Sequence, residues 1–431
     1  MELMEKLGYK QTEVGLIPED WEVISIDDAI KSTQLGGNYQ NSESENDYPL
    51  MKMGNLDRGF FKFNKIEFVV GQKPSKRDLL KYGDVIFNTR NTLDLVGKVA
   101  VWKNELDKAY FNSNLLRFEF DENKISSSFF FNYLINTKRN ISQLRAIATG
   151  TTSVAAIYSR DLTKVLIAKP TLTEQKAIAT ALSDVDDLIA NLDKLITKKK
   201  AIKQGAMQQL LTPPQKGGKR LSGFTGEWTE IRLDDLIHDF QNGYAFSAIG
   251  YEDHGIRIIT MAQIGLEGQF QLNESKGNYW DASQLQPLKD FVLKKGDLIM
   301  SMTDVTPQKN LIGRMTIIED EGPFFLNQRV GHLRVNKEKA NTVILKHLSN
   351  MRSWRTYSKG IASLGVQANI GTTDIKNGTF NLPQIEEQNA IAQILSDMDT
   401  EIKQLATKKV KYQAIKQGMM QELLTGKSRL V

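Results

Sequence analysis

Side chains that could catalyse a reaction occur in this chain without the spacing that catalysis needs. The glycine–lysine pair nearest to a phosphate-binding loop, Gly218-Lys219, has no glycine five positions earlier and is followed by Arg220. The only adjacent prolines, Pro213-Pro214, lack the following aromatic residue of amino-methyltransferase active sites. The four histidines show neither an HExxH motif nor close metal-ligand spacing, and no pair of carboxylates stands out. The sequence therefore favours a non-catalytic protein without a metal site.

A long helical pattern occurs twice, which predicts that the function also comes in two related halves. Residues 174–212 and 387–425 match in constant register 213 positions apart, each with the motif AIKQG. Apolar residues recur in both at alternating steps of four and three, the spacing of a coiled-coil seam. Two matching seams most simply bury each other, in parallel or antiparallel orientation. Gly205 and Gly418, inside these helices, favour a close helix–helix approach.

A globular stretch precedes each long helix, so the order is globular, helix, globular, helix. The segment that begins at Trp21 has its counterpart at Trp228, and Pro170 and Pro383 each end a globular stretch. Short runs of branched and aromatic residues between turn residues predict strands, and two further segments predict helices. The predicted strands are Val85–Phe87, Lys98–Trp102, Phe118–Phe120 and Arg314–Ile318, and the predicted helices are Ser126–Ile135 and Ala340–Met351.

Composition limits the class of protein. At 431 residues the chain predicts two or three domains. Its formal net charge of +5 permits a nucleic-acid partner without arguing strongly for one. The absence of cysteine excludes disulfides and cysteine metal sites, and it fits a reducing cytoplasm. The charged start MELMEKLGYKQ does not have the pattern of a signal peptide, and no apolar run is long enough to cross a bilayer.

Several segments, taken together and in order, resemble the specificity subunits of type I restriction-modification systems. They are YKQTEVGLIPEDWEV at 9–23, the entry to the first long helix at 170–175, LSDVD and LSDMD within the helices, RLSGFTGEW at 220–228, and the endings QLLT and ELLT. Each segment is weakly specific by itself. The ordered and duplicated set is highly specific, and it covers essentially the whole chain.

The resemblance implies an α+β fold with two mixed α/β target recognition domains. Two long helices would join them as an antiparallel coiled coil, with a pseudo-two-fold internal repeat. The expected divisions are a first recognition domain at 1–171, a spacer helix at 172–212, a linker at 213–226, a second recognition domain at 227–383, and a second spacer helix with the C-terminal tail at 384–431.

The resemblance also implies what the chain binds. Each domain would read one half of an asymmetric, bipartite site in double-stranded DNA, with half-sites about 10 base pairs apart between centres. Methyltransferase subunits, two by expectation, would dock on the helices, and a restriction/translocase subunit would join through the complex. S-adenosylmethionine, ATP and Mg²⁺ would belong to these partners, so this chain would hold no cofactor and would be cytoplasmic.

Polar side chains on loops are the expected DNA contacts, since amide and guanidinium groups read base edges and lysines mostly hold phosphates. The methionines near the helix ends are candidate contacts for the methyltransferase, with core packing as the stronger alternative. In the first domain the candidates are Asn38, Tyr39, Lys73, Lys76, Arg77, Thr89, Arg90, Asn91, Thr151 and Thr152. In the second they are Tyr244, Thr303, Asp304, Gln308, Lys309, Asn310, Gln367 and Asn369, and the partner-binding candidates are Met207, Met419 and Met420.

Two other functions compete with DNA recognition. An interaction scaffold without a DNA role, two modules spaced by a coiled coil, fits the small net charge and predicts only weak, sequence-blind DNA binding that salt removes. A self-sufficient restriction enzyme would need methyltransferase or nuclease motifs that the sequence lacks.

Overall fold

The computed structural model describes residues 8–272, 277–363 and 368–430. Within these residues the chain divides into two compact units. The first unit is formed by residues 8–194 together with 407–430, and the second by Leu195–Ala406. Each unit therefore combines one globular stretch with parts of both long helices. In the described part of the chain, no helix is long and apolar enough to span a membrane.

The first unit is built on two four-stranded sheets. One has the order β10-β8-β12-β4 and is antiparallel throughout; the other has the order β11-β6-β7-β5, with β11 and β6 parallel. The strands are β1 (Tyr9–Thr12), β2 (Gly15–Pro18), β3 (Glu22–Ser25), β4 (Ile30–Leu35), β5 (Asn41–Ser42), β6 (Pro49–Met51), β7 (Glu67–Val69), β8 (Val85–Asn88), β9 (Arg90–Asn91), β10 (Val99–Val101), β11 (Tyr110–Phe111), β12 (Leu115–Phe120), β13 (Thr149–Gly150), β14 (Ala155–Ala156) and β15 (Leu166–Lys169).

Helices cover one face of the first antiparallel sheet. Phe130 and Phe131 are fully buried against Phe87 and Phe118 of that sheet, and the start of the first long helix adds Ile178 and other apolar side chains to the same core. Burial of large apolar side chains on this scale is the main stabilising contribution in such a unit. The helices are α1 (Ile26–Ala29), α2 (Ser128–Ile135), α3 (Lys138–Ala146), α4 (Ser159–Leu162) and α5 (Leu172–Leu210).

The second unit repeats this plan. Its antiparallel sheet has the order β17-β25-β21-β23, and its other sheet has the order β19-β18-β24-β20 with β18 and β24 parallel. The elements are β16 (Thr229–Arg232), α6 (Leu233–Leu236), β17 (Ile237–Asn242), β18 (Ile256–Ile259), β19 (Tyr279–Trp280), β20 (Val292–Leu293), β21 (Leu298–Ser301), β22 (Thr303–Asp304), β23 (Met315–Ile317), β24 (Phe324–Leu326), β25 (Val330–Val335), α7 (Thr342–Leu348), α8 (Arg352–Ile361), β26 (Ala368–Asn369), α9 (Thr372–Asn377), β27 (Thr379–Leu382) and α10 (Ile385–Leu423).

The two long helices pair antiparallel within each unit. In the first unit Asp186 pairs with Lys416 and Asp193 with Lys409, so the partner number falls by seven as the first rises by seven. In the second unit Lys199 pairs with Glu401, and Lys203 with Asp399. These contacts settle the orientation that the seam spacing left open, and the predicted fold class is confirmed.

Most elements predicted from local patterns are present, but the prediction about the glycines of the long helices is wrong. The strands predicted near Val85, Lys98, Phe118 and Arg314, and the two shorter helices, all occur, with ends no more than three residues from the predicted ones. Gly205 and Gly418, in contrast, do not mark a close helix–helix approach. Both are exposed, and a Cβ added at either position would have no atom within 4 Å.

Candidate nucleic-acid interface

A small antiparallel ladder presents the central candidate loops of the first unit. Strand β9, which carries Arg90 and Asn91, pairs with β14, and β14 pairs with β13. The turn between β13 and β14 contains Thr151 and Thr152, and the Thr152 carbonyl accepts a hydrogen bond from the Leu93 N–H at 3.1 Å. Two segments about 60 residues apart in sequence thus form one exposed edge. Arg90, Thr151 and Thr152 are exposed there, and Asn91 is half-buried.

A second group of candidates in the first unit surrounds Asp78. The Tyr39 hydroxyl donates to Asp78 Oδ2 at 2.5 Å and accepts from the Ser75 N–H at 2.9 Å. Burial, followed by this hydrogen bond, raises the pKa of Tyr39. The tyrosine therefore fixes the segment that carries the exposed Lys73, Lys76 and Arg77. Its own hydroxyl is engaged within the protein, which makes it a support for the neighbouring cations.

The turn at 112–114 joins the two groups, and sequence reasoning missed it. The Ser113 N–H donates to the Gly37 carbonyl at 3.0 Å, next to the candidate Asn38, which is exposed. On its other side, the Asn114 carbonyl accepts from both the N–H and the hydroxyl of Thr89, at 3.1 and 2.9 Å. The signal available in the sequence was the Asn-Ser-Asn turn between two apolar runs.

The second unit has a corresponding ladder, with different side chains. Strand β22 pairs with β26, which brings Thr303 opposite Asn369, and the loop 305–311 follows β22 directly in the chain. Gln308 and Asn369 are exposed, while Lys309 and Asn310 are half-buried. Gln367 lies outside the described residues.

Two candidates of this ladder are corrected by their burial. Asp304 is 1 % exposed and Thr303 6 % exposed, so neither side chain faces solvent. The Asp304 carboxylate accepts the backbone N–H groups of Thr306 and Leu311 at 2.7 and 2.6 Å. Burial acts to raise the pKa of Asp304, but these hydrogen bonds outweigh it and hold that pKa below its ordinary value. The residue shapes the loop from inside.

An aromatic cluster lies at the other candidate of the second unit. Tyr244 is 39 % exposed and packs edge-on against Phe246 and Phe291, with ring centroids 5.0 and 5.5 Å away. Its N–H donates to the Leu326 carbonyl at 2.8 Å, which anchors the Asn242-Gly243-Tyr244 segment to β24. A partly exposed aromatic ring held in this way can pack against a sugar or a base.

Comparison with known proteins identifies the family. The model of the type I restriction modification DNA specificity domain matches the chain twice, at residues 18–204 and 225–412. The chain belongs to this type I DNA specificity family. Its members read DNA sequence for a restriction-modification system, and that is the function of this specificity subunit.

Curated relatives span nearly the whole chain. The MjaX type I restriction enzyme specificity subunit of Methanocaldococcus jannaschii is 27 % identical, with 98 % of this chain and 97 % of that protein covered. The MjaVIII specificity subunit of the same organism is 25 % identical over 100 % of this chain and 98 % of its own length. The specificity subunit of EcoBI from Escherichia coli is 26 % identical over 87 % of this chain and 78 % of its length.

Solved structures show the same fold. The type I S subunit from M. genitalium superposes with a TM-score of 0.60 at 16 % identity, covering 94 % of this chain and 96 % of that one. A chain from a structure on complex assembly and conformational transition of the type I R-M system gives a TM-score of 0.54 at 18 % identity, covering 95 % and 99 %.

The partner-binding candidates of this specificity subunit lie partly inside the two cores. Met419 and Met420 are half-buried and pack on the core of the first unit, and Met207 does the same in the second. All three thus contribute to core packing, the alternative considered from the sequence, and their contact with the methyltransferase stays a prediction.

Exposed apolar side chains lie instead in the repeated AIKQG motif. Ile202 is 47 % exposed and its counterpart Ile415 is 39 % exposed, each three residues before an exposed glycine. The recurrence of the motif in both helices was the available signal, and from the sequence it was interpreted only as evidence of the duplication.

Proposed function

We propose that the two units read two unlike half-sites of one asymmetric DNA target. The observation that carries the proposal is that corresponding strands pair in both units, β9 with β14 and β22 with β26, while the loops that follow β9 and β22 differ in length and in side chains. Nine positions separate Asp304 from Gly313, whereas six separate Asn91 from Gly97, so the loop of the second unit is three residues longer. A shared scaffold with different loops suits reading of different bases by the same mode of approach.

The division of labour between side chains follows from their chemistry. In the first unit Lys73, Lys76 and Arg77 are exposed cations suited to phosphates, and Arg90 is an exposed guanidinium on the ladder, suited to a guanine edge. In the second unit Gln308, Asn310 and Asn369 supply amides. The first half-site is therefore proposed to depend on arginine contacts and the second on amide contacts.

The test is to co-express the full chain with its methyltransferase subunit and to map methyladenine across a genome. We expect a single motif of two defined blocks around an unspecified gap. Exchange of residues 18–170 for those of another family member should change one block and leave the other. Methylation without a bipartite motif, or independent of this chain, would favour the interaction scaffold.

Methyltransferase subunits are proposed to dock on the exposed AIKQG faces. Ile202 with Gly205, and Ile415 with Gly418, form two chemically identical patches with open space around each glycine. An apolar side chain beside a glycine lets a partner helix approach closely, and two copies of the patch fit two bound subunits.

Native mass spectrometry of the complex tests this stoichiometry. Ile202→Asp and Ile415→Asp should each remove one methyltransferase subunit, and the double variant should remove both. Gln204→Asp and Gln417→Asp, at exposed polar positions of the same motifs, serve as matched controls and should retain two. Retention of both subunits by the double isoleucine variant would place docking elsewhere.

The remaining activities are proposed to belong to partners. S-adenosylmethionine, ATP and Mg²⁺ would be bound by the methyltransferase and restriction/translocase subunits of an endonuclease and adenine methyltransferase complex. Among the described residues, no group of three histidine, aspartate or glutamate side chains has the geometry to hold a metal ion. Equilibrium dialysis of the isolated chain against each ligand tests the assignment, and tight binding of any of them would contradict it.

A further inference from the structure

The backbone of loop 305–311 is fixed from two sides. From within, Asp304 accepts the N–H groups at both ends of the loop, as described above. On the other side, the buried Arg355 of α8 donates through Nη2 to the carbonyl oxygens of Lys309 and Asn310, both at 3.1 Å. Its Nη1 donates to the carbonyl oxygen of Ile312. Arg355 is only 8 % exposed, so these bonds are shielded from water.

Asn310 is held by three hydrogen bonds from cationic side chains. Its carbonyl oxygen accepts from Arg355 and also from Arg314 Nε, at 2.6 Å. Its side-chain Oδ1 accepts from Lys359 Nζ at 3.1 Å. Both acceptors of the residue are thus occupied by cationic donors, and charge-assisted hydrogen bonds of this kind are stronger than neutral ones.

The contact with Lys359 decides which end of the amide remains for a ligand. A protonated lysine has three donors and no acceptor, so the amide atom facing it must be the oxygen. The amide nitrogen therefore points the other way, and no described residue is paired with it. The half-buried Asn310 presents a donor group, with its acceptor turned inward.

We propose that Asn310 is a base-reading residue of the second recognition domain and reads a base acceptor through its amide NH₂. This inference rests on the proposed function and adds the direction of the hydrogen bond, in which the protein donates and the base accepts. In the major groove the acceptors are O6 and N7 of guanine, N7 of adenine and O4 of thymine, and adenine N7 lies beside the amino donor of the same base. Bidentate pairing with adenine requires the amide oxygen to accept from the adenine amino group, and the Lys359 charge beside that oxygen opposes the approach of another donor. The expected base is guanine or thymine.

The corresponding loop of the first unit, residues 92–97, carries no amide side chain, so loss of the Asn310 contact should affect one half-site alone. The position on α3 that corresponds to Arg355, 214 residues earlier, is Ile141, and the position that corresponds to Lys359 is Arg145. Arg145 donates to the carbonyl of Asp94 at 3.1 Å, a backbone contact that orients no amide side chain.

The test is Asn310→Asp in the full chain, co-expressed with the methyltransferase subunit. Aspartate has the same shape and retains the Lys359 contact, so the loop should stay folded, but it replaces the donor by an acceptor. Asn377→Asp is the matched control. Asn377 lies on α9, outside the loop, and its Oδ1 accepts from Arg232 Nη2 at 2.8 Å. Its replacement by aspartate adds the same negative charge as Asn310→Asp. Relative affinity is measured on duplexes in which each base pair of the motif is replaced in turn.

The wild-type chain should prefer guanine or thymine at one position of one block. Asn310→Asp should lower affinity for that base by about five- to hundredfold, with cytosine or adenine tolerated instead, while the control leaves the motif unchanged. An unaltered motif in Asn310→Asp, a uniform loss across all sequences, or a wild-type adenine preference at the affected position would overturn the inference. If the wild-type chain shows no bipartite motif at all, the proposed function itself fails.

Discussion

The hydroxyl of Tyr133 donates a hydrogen bond to Asp186 at 2.6 Å and so ties α2 of the first unit to the long helix α5. Lys416 of the paired helix reaches the same carboxylate at 2.5 Å. In the second unit Asp399 occupies the corresponding position and contacts Lys203 of the paired helix and Lys346 of α7, while His347 Nε2 lies 3.5 Å from the carboxylate. One carboxylate in each unit thus joins a globular domain and both long helices.

Removal of the Tyr133 hydroxyl should destabilise the first unit. We expect Tyr133→Phe to lower the free energy of unfolding by about 2 kcal/mol, because a hydrogen bond to a partly buried carboxylate is lost. Tyr158→Phe, at a ring that is 49 % exposed, is the control and should be close to neutral. Denaturant unfolding of the full chain measures both, and equal stability of the two variants would show that Lys416 alone satisfies Asp186.

His347 should make the second unit sensitive to mild acid. Burial, with the nearby cations of Lys346 and Lys203, lowers the pKa of His347 to about 3. Burial acts to raise the pKa of Asp399, but Lys346 and Lys203 outweigh it and hold that pKa below its ordinary value, so this carboxylate stays ionised in mild acid.

The unfolded chain binds a proton at His347 near pH 6.5 and the folded chain does not, so stability falls as pH drops from 6.5 towards 3. Between pH 7 and pH 5 the loss should be about 2 kcal/mol. His347→Gln should remove this part of the pH dependence, as measured by denaturant unfolding of the full chain at both pH values. An identical pH dependence in wild type and variant would mean that His347 is protonated in the folded state.

Arg429 should be essential to the first unit although it lies close to the end of the chain. It donates to both oxygens of Glu174, at 2.7 and 2.9 Å, and to both oxygens of Asp20. The hydrogen bond to Glu174, followed by that to Asp20, raises the pKa of Arg429. Glu174 is 1 % exposed and also accepts from the Trp21 indole at 2.9 Å.

We expect Arg429→Gln to cost about 3 kcal/mol of stability, since a buried carboxylate loses its charge partner. Lys427→Gln, at an exposed neighbouring cation, should cost little. Thermal unfolding of the full chain compares the two. Similar melting temperatures for both variants would show that Trp21 is a sufficient partner for Glu174.

Arg355 should act on DNA discrimination as a positioning residue. Arg355→Met removes one donor from each of the carbonyl oxygens of Lys309, Asn310 and Ile312, and the Asn310 carbonyl keeps only Arg314. We expect discrimination at one block to fall about tenfold, because a mismatch penalty of about 1–3 kcal/mol requires a fixed reading group. Non-specific binding and its salt dependence should persist, since they depend on phosphate contacts. Arg334→Met, at an exposed arginine of the same unit, is the control, and partial rescue by Arg355→Lys separates positioning from misfolding. Loss of base discrimination at both blocks of the motif would instead indicate a general folding defect.

Local patterns in the sequence determined the duplication, the two long helices and most of the predicted strands, because periodicity and turn residues act over a few positions. The family resemblance followed from the same repeated segments. Candidate loops around Arg90, Thr151 and Gln308 were found because polar residues between apolar runs usually lie at the surface.

The tertiary structure alone decided which of those loop side chains are available. Asp304 is buried and Asn310 offers a donor because partners from distant parts of the chain surround them, Lys359 lying 49 positions away from Asn310. The same applies to the methionines near the helix ends, which face the core, and to Ile202 and Ile415, which face solvent. The antiparallel pairing of the helices likewise rests on ion pairs more than 190 positions apart, and no local pattern specifies the direction from which such a partner arrives.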